Sequence, residues 1–431
     1  MELRRQPRLQ LAWHCRHNRA LMSLLKDFNH VKSYRHRNGL REFRAYQGLK
    51  MSKSANNESR QVVIMDMAAV TALGNNLEEL WQGLVAGRSG IGPVTRFSVD
   101  GYAAKVVAAI DDLSASGGRS MLHELLDRLL SQMGPVPPDA FLITATLKAG
   151  IDNLQSICRG RPADFQDVLL SSLCDIVGRK LGLTGSGMTI SATCASSTIA
   201  LAHGAALIDA GRADAVLVCC AEMITEYAFA GFSSLKALSP VACRPFDRDR
   251  NGLSLGEGAA GLLLMSAARA RRENRTHLGT ILGWGISNDA THITAPAKSG
   301  QGLVQAINRA LTTAHRKAEE ICAVNAHGTG TVYNDLMELT AFRQVFGNRR
   351  LPVYSVKGAI GHTLGVAGAV ETIVGVKTLA TGTVPPTAGF MHPENGAENL
   401  VSCEPQTVSG DCLLTTNSGF GGVNAALIIG K

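Results

Sequence analysis

The chain has 431 residues, enough for one large domain or two moderate ones around a sizeable buried core. It holds 45 glycines and only 5% aromatic residues, which favours close-packed helices and sheets with tight loops over a β-sandwich. The net charge of +8 is concentrated at one end: residues 1–50 carry twelve Lys/Arg against three acids, and the other 381 residues carry 31 basic against 32 acidic side chains, so the body offers no basic groove for nucleic acid.

Residues 1–58 read as a basic extension preceding a folded body at 59–431. The extension is rich in Arg and His, and its one apolar patch, Leu21–Leu25, is too brief for a signal-peptide core. Three readings stand: an organelle-targeting leader, a basic tail that contacts a polyanion, or untranslated sequence ahead of a start at Met51. On any of them the segment has little to bury, and a chain beginning at Met51 is expected to fold and work.

From Gln61 onward, strands and helices alternate. Val62–Met65 reads as a short buried strand and 75–87 as a helix. Strands are expected at Ala140–Thr144, Met188–Ala192 and Ala215–Cys219, with a helix at Ser197–Ala210. The second half repeats the theme: strand Thr280–Gly283, a helix around Leu303–His315, strand Ala323–Asn325, a helix from Asp335, strand Val353–Val356, a helix from Gly365, and closing strands Cys412–Thr416 and Ala425–Ile429. The alternation predicts an α/β fold with largely parallel buried sheets, in two similar halves of about 59–275 and 276–431.

Ten cysteines show no CxxC pair, no zinc spacing and no disulfide framework, which suits a reducing cytoplasm. No uninterrupted apolar run approaches bilayer-spanning length, so no membrane association is expected.

Four segments carry chemistry. In Ser191-Ala-Thr-Cys194-Ala-Ser-Ser197, a Cys stands between a strand and a helix, where the helix N-terminus favours thiolate and is expected to lower its pKa. The bland alternative is a buried structural thiol. Asn325-Ala-His327-Gly-Thr329-Gly-Thr331 and Ser355-Val-Lys357-Gly-Ala-Ile-Gly361-His362-Thr-Leu-Gly365 each set a His in a Gly-rich loop after a strand, where α/β sheets gather ligands. Asn417-Ser-Gly-Phe420-Gly-Gly-Val-Asn424 offers backbone N–H groups to an oxyanion.

In this order, with Trp81–Gly92, Arg244–Gly252, Gly256-Glu-Gly258 and His292-Ile-Thr294-Ala-Pro296, these segments resemble the β-ketoacyl synthase family of fatty-acid and polyketide synthesis from about Val62 to Lys431. The resemblance implies a thiolase-like, duplicated five-layer αβαβα fold, its two central sheets drawn one from each half. It also implies a C₂ homodimer, and here the core strands and the region after Cys194 are apolar enough to be expected to pack across the two-fold axis. The activity implied is decarboxylative Claisen condensation of malonyl-carrier protein with a Cys-bound acyl group, with acyl carrier protein as partner and no metal or cofactor.

Carried onto this chain, the resemblance makes Cys194 the acyl-accepting nucleophile. His327 and His362 hold the malonyl thioester carbonyl, and Lys357 with Glu371 keeps the site's charge in order. The N–H groups of Cys194 and Phe420 form the oxyanion hole, the Phe420 ring gates the acyl pocket, and Thr329 and Thr331 bind the phosphopantetheine arm. Met223, Phe229 and Phe232 are expected to shape the pocket.

The chain departs from the family pattern in four places. The Asn417–Gly422 motif is one residue short, Gly358 replaces Ser, Val332 replaces Pro, and the segment between Asp112 and Asp139 is shortened. Two rival readings share the fold: a coenzyme A-dependent thiolase-type enzyme, disfavoured by the two-His pattern, and a non-catalytic chain-length partner subunit, disfavoured by the presence of Cys194.

Overall fold

The computed structural model describes residues 60–431. The extension at 1–58 and its three readings lie outside the described residues. Ten strands join in one large sheet. Five come from the first half of the chain: β1 (Val62–Thr71), β2 (Phe141–Ala145), β3 (Gly187–Ile190), β4 (Ala215–Glu222) and β5 (Gly258–Ser266). Five come from the second: β6 (Gly279–Asn288), β7 (Ile321–Asn325), β8 (Val353–Tyr354), β9 (Cys412–Gly419) and β10 (Val423–Gly430). The spatial order β8-β7-β9-β10-β6-β1-β5-β4-β2-β3 puts the five strands of each half in the same sequence from the centre outward. The halves meet through a short antiparallel ladder, Val62–Ile281 to Ile64–Gly279, so the two expected sheets are hydrogen-bonded into one.

The expectation of largely parallel sheets is corrected. In each half β2–β4 and β2–β3, or β7–β9 and β7–β8, are parallel, while the pairs nearer the centre are antiparallel. In the first half both antiparallel pairs involve β5, which was not foreseen; in the second both involve β10, a foreseen strand that runs back beside β9 after the Gly419–Gly422 turn. Gly258-Ala-Ala-Gly-Leu-Leu-Leu-Met-Ser is buried along its whole length between β1 and β4, so it shows no alternation and its Ala and Leu residues suggest a helix.

Helices form three layers around the sheet. On the outer faces lie α2 (Leu122–Leu130) and α3 (Ser172–Leu181) against the first half, and α6 (Gln301–Ala314) and α7 (Val332–Phe346) against the second, following α1 (Leu77–Val85) in the chain. Three of the outer helices, α2, α3 and α6, are one-sided: α2 buries Leu122, Leu125, Leu126 and Leu129 and turns its charges outward. Between the half-sheets lie α4 (Ser196–Asp209) and α8 (Ala367–Thr381), which pack on each other and on strands of both halves. These two are mainly apolar and buried on most sides, as doubly covered helices are, with Glu371 of α8 a buried exception. Small residues bring them close: a Cβ on Gly368 would overlap Thr198 Oγ1 and stand 2.7 Å from Asn417 Oδ1. Leu364–Thr381 is long and apolar enough to cross a membrane, but 83% of it is buried in this central layer. The apolar surface of α4, the helix after Cys194, is likewise buried largely inside the protomer.

Candidate active site

Cys194 follows β3 on a sharp turn into α4. Thr193, a β-branched residue, adopts φ 50, a strained backbone that needs support. Support comes from Ser196, whose Oγ accepts the Ala192 N–H (2.8 Å) and donates to the Thr193 carbonyl (2.6 Å), and from the Thr193 hydroxyl, which donates to the Phe420 carbonyl (3.1 Å). The last contact requires Gly419, since a Cβ there would collide with Thr193 Oγ1. The Ser418–Gly422 turn thus lies directly against the Cys194 turn. The Phe420 ring stacks on Phe232 of α5 (Glu226–Ser234), centroids 6.0 Å apart.

His327 leaves β7 in a loop pinned by two buried carboxylates of α7. Glu338 accepts the N–H groups of His327 (2.7 Å) and Gly328 (2.6 Å), and Asp335 accepts those of Thr329 (3.1 Å) and Gly330 (3.3 Å). Burial pushes Glu338 up to about 7, with Asp335 adding to the rise. The Thr329 and Thr331 hydroxyls lie 2.9 Å apart at the cavity wall.

The hydrogen bonds assign the imidazole tautomers. His362 Nδ1 accepts the Leu364 N–H (3.2 Å), so Nε2 carries the proton. That Nε2–H is buried without a partner. His327 Nδ1 stands 3.1 Å from the Asn417 amide nitrogen, which also donates to Glu371 Oε2 (2.7 Å). A nitrogen facing a carboxylate must be the NH₂, so His327 Nδ1 is an acceptor and its Nε2 a donor too. Burial lowers both imidazoles well below their usual pKa, and Lys357 lowers them further, so both are neutral near pH 7. The rings meet edge to face with centroids 5.2 Å apart.

Lys357 and Glu371 form a buried ion pair, and Lys357 Nζ also donates to the His327 carbonyl (2.6 Å). Burial pushes Glu371 up, opposed by Lys357 and Asn417. Asn417 completes the chain through Thr198 of α4, whose hydroxyl it accepts. One continuous network thus runs from Lys357 through Glu371 and Asn417 to His327.

The catalytic and arm-binding residues named from the sequence lie in or against one cavity of about 430 Å³, with Cys194, His327, His362, Thr329, Thr331 and Phe420 on its wall and Lys357 and Glu371 behind it. A ligand atom of Cys194 and one of each His lie within 4.8 Å of one another. Phe232 lines the cavity, but Met223 and Phe229 do not. Phe229 is fully buried against Phe97 and Tyr102, so its role is in the core. Asn417, Thr198, Asp335 and Glu338 were missed. The available signal was the Asp335/Glu338 spacing, which puts two acids on one face of a helix following a Gly-rich loop.

One electrostatic expectation is overturned. The Cys194 thiol is pushed up to about 11, because burial outweighs the Lys357 and Lys148 charges and the Phe420 N–H. Iodoacetamide labelling read on the Cys194 peptide should therefore rise about tenfold per pH unit from pH 7 to 10. A plateau near neutrality would instead mean that the helix terminus holds a thiolate.

Residues 59–128 and 152–270 match the N-terminal domain of β-ketoacyl synthases, and residues 278–391 match the C-terminal domain. The chain is 31% identical over 413 residues to 3-oxoacyl-[acyl-carrier-protein] synthase 2 of Synechocystis sp., covering 88% of this chain and 99% of that one. Among solved structures it resembles the ishigamide ketosynthase/chain length factor (28% identity, TM-score 0.79) and a β-ketoacyl synthase from Burkholderia phymatum (25%, TM-score 0.78), each covering 86% of this chain and 99% of the other. By motif, fold and similarity over most of its length, this chain belongs to the β-ketoacyl synthase family.

Proposed function

We propose that this chain is an active 3-oxoacyl-[acyl-carrier-protein] synthase of fatty-acid or polyketide-type synthesis. The observation that carries the reading is the pairing of a Cys sulfur with two neutral imidazoles, both tautomers of which offer Nε2–H to the same space. Cys194 sulfur forms a thioester with the acyl group while the carrier's C–S bond breaks, and the carrier thiol leaves with the proton. The malonyl thioester oxygen then accepts hydrogen bonds from His327 and His362, which stabilise the enolate formed as CO₂ departs. The enolate carbon attacks the Cys194 thioester, the tetrahedral oxygen is held by the Cys194 and Phe420 N–H groups, and the C–S bond breaks to release a 3-oxoacyl product. Neutral imidazoles suit a donor role because they stabilise a developing anion without first giving up a proton.

The phosphopantetheine arm enters past Thr329 and Thr331. Acyl carrier protein docks at the mouth, where exposed Leu235 and Tyr333 flank the opening beside Lys236. Product masses from malonyl-carrier protein and a panel of acyl-carrier proteins test the reading: a 3-oxoacyl chain two carbons longer is expected, and unchanged acyl chains contradict it.

The assembly proposed is a C₂ homodimer formed through β3. That strand ends the sheet and pairs on one side only, leaving a row of free backbone groups for a second copy. Light scattering should give twice the chain mass, and a stable monomer contradicts it. The ishigamide relative carries a chain length factor, so a heterodimer is the rival assembly. Nine described cysteines are free thiols, which suits a cytoplasmic location.

A further inference from the structure

Three neighbouring parallel strands, β3, β2 and β4, end side by side. Their C-terminal ends bring together the Cys194 turn, the 146–149 turn and Glu222. The 146–149 turn is fixed by Thr146, whose Oγ1 accepts the N–H groups of Lys148 (3.3 Å) and Ala149 (2.9 Å), and by Ala149 at φ 42. Glu222 is fully buried. Its Oε1 accepts the Leu147 N–H and the Thr146 hydroxyl (3.3 Å). Its Oε2 stands 3.2 Å from Lys148 Nζ, yet neither atom has an aligned hydrogen bond, and both are shut off from solvent. The His362 loop closes on the same pair: a Cβ on Gly365 would stand 2.7 Å from Leu147 Cδ1 and 2.8 Å from Glu222 Oε1. The charge on Lys148 is felt at both Cys194 and His362.

The condensation derived above uses neither Lys148 nor Glu222. Buried donors and acceptors left unmet cost free energy, and a ligand that meets them recovers it. A plain alkyl chain on Cys194 meets neither. A keto oxygen meets Lys148 alone, and a carboxylate meets Lys148 while repelling Glu222. A hydroxyl meets both, accepting from Nζ and donating to Oε2. We propose, resting on the condensing-enzyme reading, that the Lys148–Glu222 pair selects the acyl group loaded on Cys194, favouring chains with a hydroxyl a few carbons from the thioester over alkyl chains of equal length.

The test is competition between pantetheine thioesters of hexanoate, 3-hydroxyhexanoate and 5-hydroxyhexanoate for the full chain, read by intact mass. In each transfer the Cys194 S–C bond forms, the pantetheine S–C bond breaks, and pantetheine leaves as the thiol with the Cys194 proton. At least one hydroxyacyl group should load about tenfold or more faster than hexanoate. The double variant Lys148→Met/Glu222→Gln, which removes both charges and keeps the shape, should lose that preference. Hexanoate loading as fast as both hydroxyacyl groups overturns the inference, and so does a preference that survives the double substitution. Both of those results leave the condensing-enzyme reading intact, whereas no loading from any of the three overturns both.

Discussion

Cys194→Ala should abolish acyl-enzyme formation and condensation while leaving some decarboxylation of malonyl-carrier protein, and His362→Ala should do the reverse. Only Cys194 can hold the acyl thioester, so without it no mass increase appears. In the proposed mechanism the buried, unpartnered His362 Nε2–H serves the donor, so its removal should cut CO₂ release by roughly two to four orders of magnitude while the acyl-enzyme still forms. The two residues come from different halves of the chain, on the turn after β3 and the loop after β8, and neither hydrogen-bonds the other. If His362→Ala blocked acylation as completely as Cys194→Ala while decarboxylation survived, His362 would be the base for the thiol, and the assignment of two imidazoles to the donor would be wrong.

Glu371→Ala should destabilise the protein by about 3–5 kcal/mol, because it strands the Lys357 charge in the interior. Lys357 is 1% exposed and retains only the His327 carbonyl as partner once Glu371 is gone. Removing both charges, as in Lys357→Met/Glu371→Gln, should restore most of that stability, since no buried charge is left unpaired. It should not restore condensation, because Lys357 also holds the His327 carbonyl. Denaturant unfolding reads the first effect and product formation the second. A Glu371→Ala loss below about 1 kcal/mol would place the pair in the range of solvated surface ion pairs.

The chemistry was more legible than the packing. Cys194, His327, Lys357 and His362 each follow a strand end in a Gly- or Ala-rich turn, and such turns reveal themselves by composition because backbone must come close there. Asn417 and Thr198 gave no such signal. Asn417 of β9 meets His327 and accepts from Thr198 of α4 beside Gly368, whose missing Cβ leaves room for that contact, and no local pattern encodes such a meeting of three elements. The strand β5 was invisible for a related reason: burial on both faces erases the alternation that marks a half-exposed strand. The pKa of Cys194 was misjudged because a helix N-terminus can be read from sequence but burial cannot, and burial is the larger effect here. The alternation of strands and helices made an α/β fold in two similar halves legible, whereas the five-layer αβαβα order came from the resemblance to β-ketoacyl synthases; the outer helices α2 and α3 were not foreseen.

The central claim is that carbon–carbon bond formation here is driven by loss of CO₂ from a malonyl donor onto an acyl group held by Cys194. The direct measurement is the ratio of CO₂ released to 3-oxoacyl product formed, with carboxyl-labelled malonyl-carrier protein and an acyl-carrier protein supplied together. The account predicts one CO₂ for each product. Product without CO₂ would mark a thiolase-type condensation, and CO₂ without product would mark a partner subunit that cannot extend a chain; either result contradicts it.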